Sequence, residues 1–252
     1  MKKILLFALP LLAMLAVSCE KDGGQNVTDK RVKEIWHEDE DGEKELVCSF
    51  VYDNEGRLIS DGSVTYVYSD NAIIDKYNDG YVDYKEVWHL SNDGYLVKSD
   101  HYSSYNGQPE RLSLTTEYVY NNGYLSKKIN TWYDKSGEVT SESTDEYFWK
   151  NGNLVIDYAE TYEYSSIANL TNINLGYSLE SGDVSYLKFK GTYSKNLCSK
   201  MVIKEYDGTI CTYQWDYTLD KDGLPTQVKH SSWRTEDDKD DKYLTTFYII
   251  YE

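Results

Sequence analysis

The chain of 252 residues carries 43 acidic and 26 basic side chains, a net charge of −17, with 26 tyrosines, six tryptophans and only three prolines. So acidic a surface repels nucleic acid and anionic lipid, which excludes partners held through phosphate contacts. The four cysteines and four histidines follow no zinc or dithiol spacing, so neither a metal nor a redox centre organises the sequence.

Met1-Lys2-Lys3 precedes an apolar run from Ile4 to Val17, which ends in Ala16-Val17-Ser18-Cys19. A charged head, an apolar stretch and a small-residue cleavage site read as a signal peptide over residues 1–18, and the run is short for a membrane span. A cysteine directly after small residues resembles a bacterial lipobox, which makes Cys19 the lipidated first residue of the mature chain. Residues 19–30 begin Glu20-Lys21-Asp22 and continue polar, a flexible tether ahead of a single β domain over 31–252. One acylated terminus anchors the protein while its body stays in water. Removing Lys2 and Lys3 takes the net charge from −17 to about −19.

After an acidic tip at Glu38 to Gly42, the stretch Phe50-Val-Tyr-Asp-Asn-Glu-Gly-Arg-Leu58 sets a pattern that recurs along the chain. With Asn54-Glu55-Gly56 as a three-residue loop and the glycine left-handed, Asp53 faces Arg57 and Tyr52 faces Leu58. The same arithmetic pairs Leu90 with Leu96, Tyr133 with Val139 and Leu219 with Pro225. Two-residue type I′ turns at Asp70-Asn71, Asn122-Gly123 and Asn151-Gly152 pair Tyr68 with Ile73, Tyr120 with Leu125 and Trp149 with Leu154. At Asp61-Gly62, a bulge loop over Ser60-Asp61-Gly62 keeps Leu58, Val64, Tyr66 and Tyr68 on one face. Further turns are expected at Asn78-Asp79-Gly80, Asn106-Gly107, Lys195-Asn196 and Asp207-Gly208.

The pattern stops at Ser165–Gly182, where Ile167, Leu170, Ile173 and Tyr177 fall at helical spacing; this reads as an irregular crossover with one or two helical turns and Ser165 or Ser166 as N-cap. After a charged loop, Glu236 to Lys242, the strand Tyr243 to Tyr251 is apolar on both faces, as in a central or closing strand. About 12–15 strands joined by short loops predict an all-β, antiparallel up-and-down meander curled into a barrel or strongly curved sheet. Arg57, Thr65, Asn121, Lys150 and Asn153 lie opposite the tyrosine rows, where a membrane barrel needs an apolar band. Cys48 shares a face with Leu46, Phe50 and Tyr52, as a buried thiol does. Cys198 and Cys211 are the candidate disulfide, although the Asp207-Gly208 hairpin sets Lys204 opposite Cys211.

No residue stands out as catalytic. A glycosidase needs two carboxylates set across a sugar, and most acidic residues here sit at tips where turn geometry accounts for them. Calcium ligation is suggested by Asp39-x-Asp41-Gly42, Asp220-x-Asp222-Gly223 and Glu236 to Asp241, yet none completes the twelve-residue loop, so no metal and no cofactor are expected. His37, His89, His101 and His230 are too dispersed for zinc, and there is no nucleophile elbow or phosphate loop. The positive signal is the surplus of Tyr and Trp, which suits stacking on sugars, peptide recognition, or the lining of a wet barrel.

Tyr-Asp-Asn-Glu-Gly-Arg-Leu58 is similar to the Tyr-Asp repeats of large surface and toxin proteins at scattered tips. The lipobox at Ala16 to Cys19, the acidic Glu20-Lys21-Asp22, the Tyr66-x-Tyr68 and Tyr118-x-Tyr120 tips, the Leu219-Asp-Lys-Asp-Gly-Leu-Pro225 hairpin and the Tyr-rich last strand together resemble a family of uncharacterised Bacteroidetes lipoproteins with a porin-like β fold. That resemblance implies a fold and a compartment, the outer membrane with either a surface-exposed or a periplasmic placement, and no catalytic residues. The functional expectation is a non-enzymatic, lipid-anchored module for a glycan or protein of the envelope, touching membrane only through Cys19. A structural scaffold and a carboxylate-based hydrolase are the alternatives.

Overall fold

The computed structural model describes residues 30–78, 82–105, 108–157, 160–173, 187–235 and 243–252. The signal peptide, Cys19, nearly all of the tether, the tips at Asp79-Gly80 and Asn106-Gly107, Tyr177 and the Glu236 to Lys242 loop lie outside them.

Alternation and turn chemistry produce strands throughout. They run β1 (Val32–Glu38), β2 (Lys44–Ser49), β3 (Val51–Tyr52), β4 (Leu58–Ser60), β5 (Thr65–Ser69) and β6 (Ala72–Asn78). Next come β7 (Val82–Leu90), β8 (Leu96–Tyr105), β9 (Arg111–Asn121), β10 (Tyr124–Tyr133), β11 (Val139–Lys150) and β12 (Asn153–Asp157). The last five are β13 (Glu160–Ala168), β14 (Asn196–Lys204), β15 (Ile210–Leu219), β16 (Pro225–Arg234) and β17 (Tyr243–Tyr251). Among the described residues every pairing is antiparallel and, apart from β1 with β17, joins strands that follow each other in the chain; β1 pairs with both β17 and β2, which closes the sheet into a barrel. The seventeen strands among the described residues exceed the expected range, partly because Phe50 divides one bent strand into β2 and β3 while its amide still reaches the Lys33 carbonyl at 2.8 Å. Counting that pair once leaves sixteen, the even number that an all-antiparallel ring requires. The wall is thinnest at β4, which meets β5 through the single pair Ser60 and Thr65.

All seven predicted tip pairings form in the expected register. Asn122 and Asn151 take the positive φ of type I′ turns, whereas Asp70 and Asn71 reach the same register without it. In the three-residue loops the leading aspartate locks the tip: the Oδ1 of Asp53, Asp134 and Asp220 each accepts backbone N–H bonds from the second and fourth residues that follow.

Several expectations are corrected. Asp61 pairs with Val64 around Gly62-Ser63, so the bulge loop is absent, although Leu58, Tyr66 and Tyr68 still face the core. Glu205 and Thr209 flank a three-residue loop, which moves Ile203 rather than Lys204 opposite Cys211. Cys198 and Cys211 are free thiols. Leu46 is 48% exposed and leaves the Cys48 face, because the β1–β2 register shifts between Ile35 and Trp36. Ser165 to Ala168 are strand, not a helix start; Asn169 to Ile173 then turn irregularly into the barrel. β17 does close the sheet, but only its inner face is buried, with Ile250 43% exposed.

The core fills the arc of barrel interior from β14 around to β7. Ile35, Phe50, Tyr66, Trp88, Met201, Trp215, Val228, Phe247 and Ile249 pack there, and Ile173, Leu187 and Phe189 enter from the β13–β14 connection as a plug. Phe189 meets Trp88 edge-on at 5.3 Å, and the Gly191 carbonyl accepts the Leu125 amide at 2.9 Å. The outer wall carries charge in mid-strand, with Lys127 on Glu146 at 2.9 Å and Lys200 on Glu163 at 3.0 Å.

Candidate functional site

The strands β7 to β13 place a different set of residues inside. Because a strand's side chains alternate, residues opposed across the ladder form rows on one face. One row runs Ile73, Trp88, Ser99, Thr116, Asn130, Ser143. Flanking rows hold Tyr66, Asp75, Glu86 and His101, then Tyr118, Lys128 and Asp145, then Tyr147, Asp157 and Glu160. Together with Trp149, Tyr162, Tyr164, Tyr217 and the plug, most of them surround a cavity of about 640 Å³. A second hollow of about 660 Å³ shares Asp157 and Glu160 with it and ends at the Tyr206-Asp207 tip, where Tyr206 is 97% exposed. The volume of the inner cavity lies within the roughly 300–1,000 Å³ of small-ligand sites.

Hydrogen bonds hold part of this wall rigid. Thr116 Oγ1 donates to Asn130 Oδ1 at 2.9 Å, and Asn130 Nδ2 donates to Asp145 Oδ2 at 2.9 Å. Trp149 Nε1 donates to the Leu125 carbonyl at 2.6 Å, and its ring stacks on Tyr124 at 5.0 Å. Tyr162 donates to Glu160. The Lys128 ammonium lies 5.9 Å from the Tyr118 ring and 5.3 Å from the Tyr147 ring. On the plug, Lys188 Nζ donates to Asn169 Oδ1 at 2.9 Å and the Thr171 carbonyl at 2.6 Å, and burial pulls its pKa down to about 7.

The carboxylates are crowded. Burial pushes the Asp157 pKa up to about 6, with Glu160 and Asp145 adding repulsion that Lys128 only partly offsets. Asp75 rises to about 6 by burial and then through Glu86. Burial opposes a charge on His101, but its 2.8 Å contact with Glu86 outweighs that and raises its pKa. Tyr118 is pushed up to about 12 by burial, and Tyr147 and Tyr162 also rise.

Other predicted positions have structural duties. Asp39 Oδ1 accepts the Asp41 and Glu43 amides, while Asp220 and Asp222 grip Lys30 at 2.8 and 2.6 Å, so two of the three calcium candidates have partners within the chain, and the third, Glu236 to Asp241, lies outside the described residues. His89 leans on Asp100 at 3.0 Å, His37 on Phe247, and His230 lies buried between Tyr213 and Trp215. Cys48 Sγ donates to the Asp61 carbonyl at 2.6 Å. The luminal carboxylates were not singled out in the sequence, although a signal exists. Glu86 shares its face with Trp88, Asp145 with Tyr147 and Trp149, and Glu160 with Tyr162 and Tyr164, so each puts an acid in an aromatic row.

No family model matches the chain, Tyr-Asp repeats included, and no curated protein matches it. Among solved structures it is similar to a porin-like protein from Bacteroides uniformis, with 19% identity, 90% of this chain and 99% of that one covered, and a TM-score of 0.62. A porin-like protein from Bacteroides vulgatus gives 14% identity, 89% and 99% coverage, and a TM-score of 0.61. At these identities the likeness defines the fold: the chain forms an all-β, porin-like barrel.

Proposed function

We propose that this protein is a lipid-anchored component of the cell envelope, held to the outer membrane through Cys19, whose barrel binds a glycan inside its lumen and performs no chemistry on it. The observation that carries this reading is the position of the aromatic surplus. Tyr118, Tyr147, Trp149, Tyr162 and Tyr217 line a cavity of about 640 Å³, beside carboxylates and an asparagine that suit sugar hydroxyls. The charged pairs in mid-strand on the outer wall would be costly against lipid tails, which supports a barrel that stands in water.

Titrating the intact barrel with envelope oligosaccharides by calorimetry tests the luminal part: saturable heat that Trp149→Ala removes is expected, and no heat with any of them overturns it. For the anchor, cells fed an alkyne fatty acid should label the wild-type protein and not Cys19→Ala; equal labelling of both contradicts it. A carboxylate-based hydrolase is the second reading, favoured by the raised pKa of Asp157 beside Glu160 in a cleft. It requires product from the same oligosaccharides, lost in Asp157→Asn.

A further inference from the structure

We propose that the lumen selects sugars that carry a free amino group, the ammonium settling against Asp157 and Glu160 while the ring stacks on the neighbouring tyrosines. This rests on the glycan reading and narrows it to one ligand class.

The first ground is a charge imbalance built into the wall. Asp157 and Glu160 stand directly opposite each other on β12 and β13, and Asp145 lies on the adjacent β11. Among the described residues the Glu160 carboxylate accepts the Tyr162 hydroxyl and Asp145 the Asn130 amide; both donors are neutral. Asp157 has no hydrogen-bond or ion-pair partner among the described residues, and both Asp157 and Glu160 border the two hollows. Among the described residues Lys128 is the cation that acts on Asp157 from inside the lumen, and its ammonium sits over tyrosine rings rather than in an ion pair, while Lys204 borders the outer hollow. A neutral sugar would leave this negative charge uncompensated in a partly desolvated space, whereas an ammonium would offset it.

The second ground is independent of the acids. Lys128 demonstrates that this wall accepts an ammonium against aromatic faces, since Tyr118 and Tyr147 present their rings to it. Tyr162, beside Glu160, extends the same aromatic surface. An amino sugar combines the two features, with an apolar ring face for stacking and a cation for the carboxylates. A neutral sugar uses only the first, and a bare polyamine only the second.

Calorimetric titration of the intact protein at neutral pH with a glucosamine disaccharide, its N-acetylated counterpart and spermidine separates these cases. We expect the free amine to bind about tenfold or more tightly than the N-acetylated sugar, as removing one charged hydrogen-bond partner implies. Spermidine should bind at least about tenfold more weakly than the amino sugar, because it lacks the stacking face. In Asp157→Asn and Glu160→Gln, shown to be folded by circular dichroism, the amine preference should collapse toward unity. Equal binding of the amine and the acetylated sugar overturns amine selection and leaves the glycan reading standing. Spermidine binding as tightly as the amino sugar overturns the sugar part, and binding of none of the three overturns amine selection, while the glycan reading falls only if the envelope oligosaccharides also give no heat. A preference that survives in both variants removes the carboxylates from the account.

Discussion

From β14 around to β2 the inward positions are mostly apolar, among them Met201, Trp215, Val228, Phe247, Ile249 and Ile35, with His230 and Thr245 buried between them and Trp215 and Tyr217 at the edge of the cavity; from β7 to β13 they include Glu86, Thr116, Lys128, Asp145, Asp157 and Tyr162. Both arcs have the same alternation, the same short tips and a continuous ladder, so the difference lies only in which residue types occupy the inner set. In the first arc apolar side chains and the plug fill the space, and burial of that surface is the main source of stability. Along the second, polar and charged side chains bring hydration that a dry core cannot supply, so the space stays open. A barrel this wide can therefore be half core and half cavity.

The largest effects should separate the two arcs. Trp215→Ala, in the filled arc at 4% exposure, should cost about 3–5 kcal/mol in urea unfolding, while Trp149→Ala, half-buried at the cavity wall, should cost about 1–3 kcal/mol. Equal losses would erase the distinction. Next comes the seam where the plug meets the cavity wall. Gly191 has φ +77°, and a Cβ there would collide with the Gly123 carbonyl. Gly191→Ala should therefore cost roughly 1–3 kcal/mol, and a melting point equal to wild type would mean that the plug is not seated as described.

A smaller effect follows from the crowded acids. The folded-state pKa values of Asp75 and Asp157 are about 6, above the ordinary 3.8, so the folded protein holds protons in that window that the unfolded chain releases. Their contribution to stability therefore improves as pH falls from 7 through 6 toward 4. His101, raised by Glu86, acts in the same direction because its partnership is present at low pH and lost as pH rises through its folded value. Below about 4 the trend reverses, since Asp53, Asp134 and Asp220, held below their ordinary values in the tips, lose their bonds on protonation. Melting temperature should pass through a maximum between pH 4 and 6, and Asp157→Asn should raise it at pH 7 and flatten the slope above pH 5. A wild-type melt that rises steadily from pH 5 to 8 would contradict this. The smallest effect belongs to the rim, where Arg57→Ala removes an exposed pair with Asp53 at 2.7 Å and should leave the melt unchanged within error.

The turns explain why so much of the fold was legible. Tyr52 and Leu58, or Trp149 and Leu154, meet because loop length dictates register, and register dictates which face turns inward. The misread loops at Asp61 and Asp207 failed for the same reason: a lone Asp-Gly allows a two- or three-residue loop, and buried side chains decide between them. Asp61 is drawn in to hold the Tyr66 hydroxyl at 2.5 Å, which no local rule anticipates. The plug was less legible because its burial depends on long-range packing, as with Ile173 in the core cluster, rather than on its own periodicity. Forty-three acids hid the few that matter. Only the company they keep on one strand face, Asp145 with Tyr147 or Glu160 with Tyr162, marks them as luminal.

The division of the interior is most directly tested by hydroxyl-radical footprinting of the intact protein, read residue by residue by mass spectrometry. The account predicts oxidation of Tyr147, Tyr162 and Trp149, reduced by a bound amino sugar, with Tyr66 and Trp215 protected in both states. Protection of the cavity tyrosines equal to that of Tyr66 in the free protein would mean that the lumen is closed, and the account of an open polar half would be wrong.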